Sequence, residues 1–255
     1  MTQIWAHRGA SADAPENTLP AFALALGQGA DGIELDVQLT RDDEVVVIHD
    51  ETLERTTDGV GWVLDHSLAD LLTLDASAGR RGFPGVRIPL LAEVLELIRD
   101  SDAIANIELK TDVLPNRGIE ERVLEVVAAS GCADRVVYSS FNHYTLRNLA
   151  KLGVTQPRGA LISDRLFKPW RYARTLDVQA LHPSVRATTR TLVERCHEQG
   201  LRVHVWTANS VKDLRRQFVH GADAVITDVP ALAVELRDDH ERRYAAPEPG
   251  RRPRA

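Results

Sequence analysis

Cysteine is almost absent from this chain of 255 residues: only Cys132 and Cys196 occur. Two thiols in a chain this long make no disulfide framework, and a reducing cytoplasm is the compartment that suits them. Aromatic residues amount to 5% and methionine occurs once. No apolar run approaches the ~20 residues that cross a bilayer. Met1-Thr2-Gln3-Ile4-Trp5-Ala6 leads into His7 without a charged leader or an apolar signal core, so the chain as given reads as neither exported nor stably anchored in a membrane. Positive charge is not in excess either. Lysine and arginine number 31 against 37 acidic residues, a net charge of −6, and this balance gives no reason to expect a nucleic-acid partner. No Gly-x-Gly-x-x-Gly follows the first apolar segment, as a dinucleotide-binding sheet would need. No serine or cysteine sits in a recognisable nucleophile motif.

What is present is ordinary for a globular chain, at 44% hydrophobic and 27% charged residues. Apolar periodicity places strands near 3–8, 31–40, 104–109, 135–139, 158–162, 179–182, 202–207 and 222–227. Helical patterns near 19–27, 90–100, 117–130, 142–152, 168–176, 188–199 and 211–219 lie between them. Strands alternating with helices argue parallel βαβ units. Eight such strands are the number that closes a TIM (β/α)8 barrel, whose site lies at the C-terminal strand ends. An open doubly wound sheet has the same alternation and stays open as an alternative. Residues 51–89 interrupt the pattern as a small insertion after the second-strand hairpin. Trp62, Leu64, Leu68, Leu71, Leu72 and Leu74 could give it a core of its own. The folded domain is expected over 1–235. The remainder, 236–255, loses apolar periodicity and is expected to be a disordered tail.

The chain is organised around Asp31 to Asp50. Ile33, Leu35, Val37 and Leu39 alternate with Gly32, Glu34, Asp36 and Gln38, so a strand here buries its odd positions and points two carboxylates the same way. The polar turn at Arg41-Asp42-Asp43 folds the chain back as an antiparallel hairpin and brings His49 nearly opposite Glu34. Strand 104–109 repeats the pattern, with Ala105, Ile107 and Leu109 on one parity and Asn106, Glu108 and Lys110 on the other. Adjacent strands would thus gather Glu34, Asp36 and Glu108. Three buried carboxylates repel one another, and a divalent cation relieves them. All-oxygen ligands without cysteine favour one hard ion, Mg²⁺ or Ca²⁺. A salt-bridge cluster with Arg8 and Lys110 is the alternative. His7 and His49 fall at strand ends beside the acids, where an imidazole pair can serve as acid and base. Asn17 either caps the first helix or contacts the phosphate or the metal's surroundings. Trp206 shares parity with His204 and is expected to face the mouth, with simple barrel packing as the alternative and with His182 and Phe141 as further possible walls.

Six fragments, His7-Arg8, Pro15-Glu16-Asn17-Thr18, Glu34-Leu35-Asp36, His49-Asp50, Glu108-Leu109-Lys110 and Val205-Trp206-Thr207, occur in order, and together they resemble the glycerophosphodiester phosphodiesterase family. That family usually reads Trp-Thr-Val-Asn where this chain has Trp206-Thr207-Ala208-Asn209. The resemblance implies metal-dependent hydrolysis of a small-molecule glycerophosphodiester to glycerol 3-phosphate and an alcohol, with His7 and His49 as the acid–base pair. It further implies that Trp206 packs on the glycerol carbons and that 51–89 lies over the active face. Arg8 and Lys110 would meet the phosphate. A lysophospholipase D or phospholipase-like phosphodiesterase acting on a longer lipid is the alternative, and such an enzyme is expected to show an apolar rim or an anchoring segment, against which stand the few aromatic residues and the single methionine. A barrel retired to binding would be expected to have lost one of these residues, and none is lost.

Overall fold

The computed structural model describes residues 1–244. Its elements in chain order are β1 (Gln3–His7), α1 (Leu19–Gly27), β2 (Gly32–Leu39), β3 (Val45–Val47), α2 (Leu68–Leu71), α3 (Leu91–Ile98), β4 (Ile104–Leu109), α4 (Ile119–Ser130), β5 (Val136–Ser140), α5 (His143–Lys151), β6 (Arg158–Ile162), α6 (Pro169–Leu176), β7 (Ala180–Pro183), α7 (Arg190–His197), β8 (Arg202–Val205), α8 (Val211–His220), β9 (Ala224–Thr227) and α9 (Pro230–Tyr244). The strands run in the order β1-β9-β8-β7-β6-β5-β4-β2, and β1 also pairs with β2. That last pairing sets Trp5 beside Gly32 and His7 beside Glu34. The sheet therefore has no free edge among its eight parallel strands, which makes it the closed (β/α)8 barrel and excludes the open sheet. β3 lies antiparallel on β2 as a ninth strand outside the ring.

Helices begin where short polar side chains can accept the first free amides. Thr18, Asn142, Thr189 and Ser210 do this for α1, α5, α7 and α8. The outward parity of β4, Ala105, Ile107 and Leu109, packs in one cluster with Val94, Leu95 and Ile98 of α3. The inward parity of the barrel holds a second cluster of Trp5, Val137, Ala224 and Ile226. His182 is also inside, fully buried, and pairs with His204 at 2.8 Å between ring nitrogens. The Trp5 ring lies 4.4 Å from that of His204. Burial pushes the His182 imidazole down to about 3, so it stays neutral. His182 is thus a packing residue and no pocket wall. Gly159 is required next to it, because a Cβ there would stand 2.0 Å from His182 Nε2.

In the hairpin Val37 faces Val47 and Leu39 faces Val45, and Ile48 N donates to Asp36 O at 3.0 Å, which brings His49 to the level of the acids. Two other expectations need correction. The inserted segment has an apolar cluster, but it is built on Val46, Ile48, Leu53, Val63, Leu71 and Ile88. Trp62 and Leu64 are exposed, because the single 3₁₀ turn Val63–Asp65 turns Val63 inward instead. The domain also does not stop at 235. Residues 236–244 continue α9, since Leu236 packs with Phe218 and Ala233, and Arg237 pairs with Asp31 and Asp238. Tertiary contacts there replace the amphipathic pattern that the segment lacks. The rest of the expected tail, 245–255, lies outside the described residues.

Candidate active site

Pairing of neighbouring strands decides which side chains meet. His7 is level with Glu34 across β1 and β2, and Asp36 is level with Glu108 across β2 and β4. Glu34, Asp36 and Glu108 are all buried, and one oxygen from each lies within 4.8 Å of the others. Burial and then the charges of Asp36 and Glu108 push the Glu34 carboxyl far above its usual range. Burial and Asp36 raise Glu108 to about 7, against the pull of Lys110. Burial also works against ionised Asp36, but Arg8, His49, Lys110 and the Asn17 hydrogen bond outweigh it and hold this carboxyl low. Asp36 Oδ1 is buried with no hydrogen-bond partner. An orphaned carboxylate oxygen among three converging acids is what a hard divalent cation would complete, so the donor set fits such an ion.

The cations next to this cluster are held by the backbone as much as by charge. Arg8 and Asn17 both adopt the left-handed region, with φ of 55° and 56°. Non-glycine residues seldom do so without a local reason. Here Arg8 N donates to Glu34 O at 2.9 Å and to Glu34 Oε2 at 3.1 Å, and Asn17 N donates to Arg8 O at 2.9 Å. Gly9 follows at φ 80°, where a Cβ would stand 2.6 Å from the Ala21 backbone. The guanidinium of Arg8 then lies 3.3 Å from Asp36 and 2.9 Å from Glu16. Lys110 donates to Glu108 at 3.1 Å. Asn17 does not cap α1, a task that falls to Thr18. Its amide donates to Asp36 Oδ2 at 2.8 Å.

Both histidines are held in the same way. Nδ1 of His7 is 2.6 Å from Asp228, and Nδ1 of His49 is 2.5 Å from Asp50. Each carboxylate stays ionised. Burial raises Asp228, but hydrogen bonds from His7, Asn209 and Ser11 outweigh it, and Arg55 followed by His49 holds Asp50 far below its usual range. An ionised carboxylate only accepts, so each imidazole donates from Nδ1 and presents Nε2 to the site. Nε2 of His7 lies 4.0 Å from Glu34, and Nε2 of His49 accepts from the Lys110 ammonium at 3.3 Å. Two imidazoles thus present Nε2 toward one acidic cluster, that of His49 with the Lys110 ammonium beside it. This arrangement can take a proton on one side and, once charged, return one on the other.

Of the residues singled out from sequence, His7, Arg8, Asn17, Glu34, Asp36, His49, Glu108 and Lys110 are brought together. Trp206 is placed across the barrel, its indole donating to His182 O at 2.7 Å and its ring edge-on to Phe141 at 5.4 Å. It borders a groove of about 590 Å³ lined also by Ser163, Asp164, Arg165, Ser184 and Arg186, beyond the ends of β6, β7 and β8. Sequence reasoning missed three supports. Asp228 directly follows β9, and its place at a strand end was a usable signal. Gln38 donates to the carbonyls of Ile48, His49 and Asp50, holding the second histidine's backbone. Arg55, from the inserted segment, contacts both oxygens of Glu16 at 2.7 and 2.8 Å and those of Asp50 at 2.5 and 3.0 Å. Nothing in its local sequence marked it, because neither partner is near it on a shared helical or strand face.

The glycerophosphoryl diester phosphodiesterase family model matches residues 7–232. A glycerophosphodiester phosphodiesterase of Caldanaerobacter subterraneus subsp. tengcongensis is 43% identical over 92% of this chain and 97% of its own. One of Bacillus altitudinis is 41% identical over 94% and 99%. Among solved structures, an Oleispira antarctica phosphodiesterase in complex with the product sn-glycerol-3-phosphate superposes with a TM-score of 0.86 at 33% identity, covering 93% of this chain and 97% of the other. The glycerophosphodiester phosphodiesterase of Agrobacterium tumefaciens does so at 0.82 and 31%, covering 92% and 100%.

Proposed function

The chain belongs to the glycerophosphoryl diester phosphodiesterase family, and on that premise we propose that it hydrolyses a glycerophosphodiester to glycerol 3-phosphate and an alcohol by paired-histidine catalysis through a cyclic 1,2-phosphate. The observation that carries this reading is the pair of His–Asp contacts, His7 with Asp228 and His49 with Asp50, whose Nε2 atoms face one acidic cluster. Glu34, Asp36 and Glu108 hold one divalent cation, Mg²⁺ or Ca²⁺, which supplies positive charge for the phosphoryl oxygens when bound. Arg8 and Lys110 add fixed positive charge on the same side.

In the first step, Nε2 of one histidine takes the proton of the glycerol 2-hydroxyl, and that oxygen attacks phosphorus. The bond to the alcohol breaks, and the other, protonated histidine gives its proton to the leaving oxygen. Water then opens the cyclic ester with the two roles exchanged, which restores both imidazoles. An internal hydroxyl needs no captured water and is already in place, an entropic advantage. Trp206 forms an apolar wall for the glycerol carbons, and the groove beside it receives the alcohol. The test is a turnover panel of glycerophosphocholine, glycerophosphoethanolamine, glycerophosphoglycerol and a lysophospholipid, each with Mg²⁺ and with Ca²⁺. Release of glycerol 3-phosphate from at least one glycerophosphodiester is expected. Release of phosphocholine from glycerophosphocholine instead would assign the cleavage to the wrong P–O bond.

A further inference from the structure

Large apolar side chains exposed by more than half are few among the described residues, and three of them cluster by position in the fold. Val113 follows β4 and is 62% exposed; Tyr144 opens α5 just after β5 and is 77% exposed; Phe167 follows β6 and is 87% exposed, with Leu166 beside it at 45%. β4, β5 and β6 are neighbours in the ring, and all three segments leave the C-terminal strand ends. These side chains therefore share one sector of the catalytic rim. Residues 163–167 are exposed without interruption. Among the described residues Phe167 is a bulky tip covered by little beyond its neighbour Lys168, whose Nζ lies 4.8 Å from its ring centroid.

Charge in this sector runs against that of the chain. The loops at 111–118 and 163–168, which follow β4 and β6, carry Arg117, Arg165 and Lys168 against Asp112 and Asp164, and Arg186 lies in the next loop, after β7, while the whole chain has a net charge of −6. An aromatic tip flanked by cations is suited to the boundary of an anionic lipid surface, where the ring enters the headgroup region and the cations meet lipid phosphates. We propose that the β4–β6 sector of the rim docks reversibly on anionic membranes, with Phe167 as the inserted side chain and Lys168 as its charge partner. The catalytic mouth then faces the lipid surface, so a diester still held in a bilayer can reach it. Docking itself does not depend on which bond the site cleaves.

The full-length protein, in one divalent-cation buffer, is sedimented with vesicles of phosphatidylcholine alone and of phosphatidylcholine mixed with phosphatidylglycerol. Binding to the mixed vesicles is expected, weak binding to the neutral ones, and a loss of binding at high salt. Phe167→Ser should weaken partitioning about ten-fold or more, as expected for a buried aromatic ring. Lys168→Glu should weaken it about five-fold or more on mixed vesicles only. Both variants should turn over glycerophosphocholine in solution as the parent does, which separates failure of docking from failure of the reaction. Equal partitioning of parent and Phe167→Ser, or no binding by the parent, would overturn the proposal. So would a protein that self-associates without lipid through the same side chain, since the rim would then be an interface between copies.

Discussion

His7 and Asp228 are 221 residues apart in the chain and 2.6 Å apart in the fold. They stand at the ends of β1 and β9, which are neighbours only because the barrel closes. Asn209, at the end of the β8 segment, and Ser11, in the first loop, donate to the same carboxylate. Asp228 is thus oriented by two donors, one on each oxygen, before it orients the histidine.

Replacing Asp228 by Asn should therefore keep the fold and lower kcat by at least about ten-fold, inside the roughly 10²–10⁴-fold that a positioned acid or base contributes. His7→Ala should remove the whole of that contribution. Steady-state kinetics beside a thermal melt reads both effects. An Asp228→Asn enzyme with unaltered kcat would show that the contact is structural only.

Arg55 reaches the chemistry through Asp50 and tethers the inserted segment to Glu16. Arg55→Met should lower kcat more than it changes KM, because it frees Asp50 and lets His49 turn. Arg55 is about half exposed, so its effect on stability should stay within about 1 kcal/mol. Lysine should not rescue it, since one ammonium cannot serve two carboxylates with two contacts each. Full rescue by Arg55→Lys would refute the positioning role.

Chelation should abolish turnover, and Mg²⁺ or Ca²⁺ should restore it. Metal-free stability should also carry a signature of the acidic cluster. Glu108 is raised from the usual 4.5 to about 7, and Glu34 is raised as well. The folded state then binds more protons than the unfolded chain between those values. This contribution to stability is complete below about pH 4.5 and is lost as pH climbs through about 7. Melts of chelated protein should accordingly weaken from about pH 5 to about pH 8, with added cation reversing the loss. Glu34→Gln should flatten the slope and weaken cation binding while sparing the fold. A chelated protein that gains stability over that range would contradict the reading.

The route through a cyclic phosphate has its own test. A 2-deoxy analogue of glycerophosphocholine keeps the diester and lacks the attacking hydroxyl, so its turnover should fall below detection while it still competes with the natural substrate. Hydrolysis at the natural rate would make water the nucleophile in the first step.

Much of this was legible in the residues themselves, because local order rests on periods of two and 3.6 that a chain displays openly. Glu34, Asp36, Glu108 and Lys110 betrayed themselves by occupying strand positions that a barrel would otherwise fill with apolar groups. The eight strands and the helices between them followed from the same alternation. Closure did not, for an open sheet has identical periodicity, and it was decided by β1 pairing with β2 on one side and with the last strand β9 on the other. The partners of the site were hidden for a related reason. Asp228 meets His7 across the seam of the ring, Arg55 reaches Asp50 and Glu16 from an irregular segment, and α9 runs past 235 on contacts made by Leu236 and Arg237. What the sequence determined by itself was which side chains could do chemistry and on which strand face each lay. What only the tertiary structure decided was that Asp228 orients His7, because a hydrogen bond between residues 221 positions apart leaves no period in the chain.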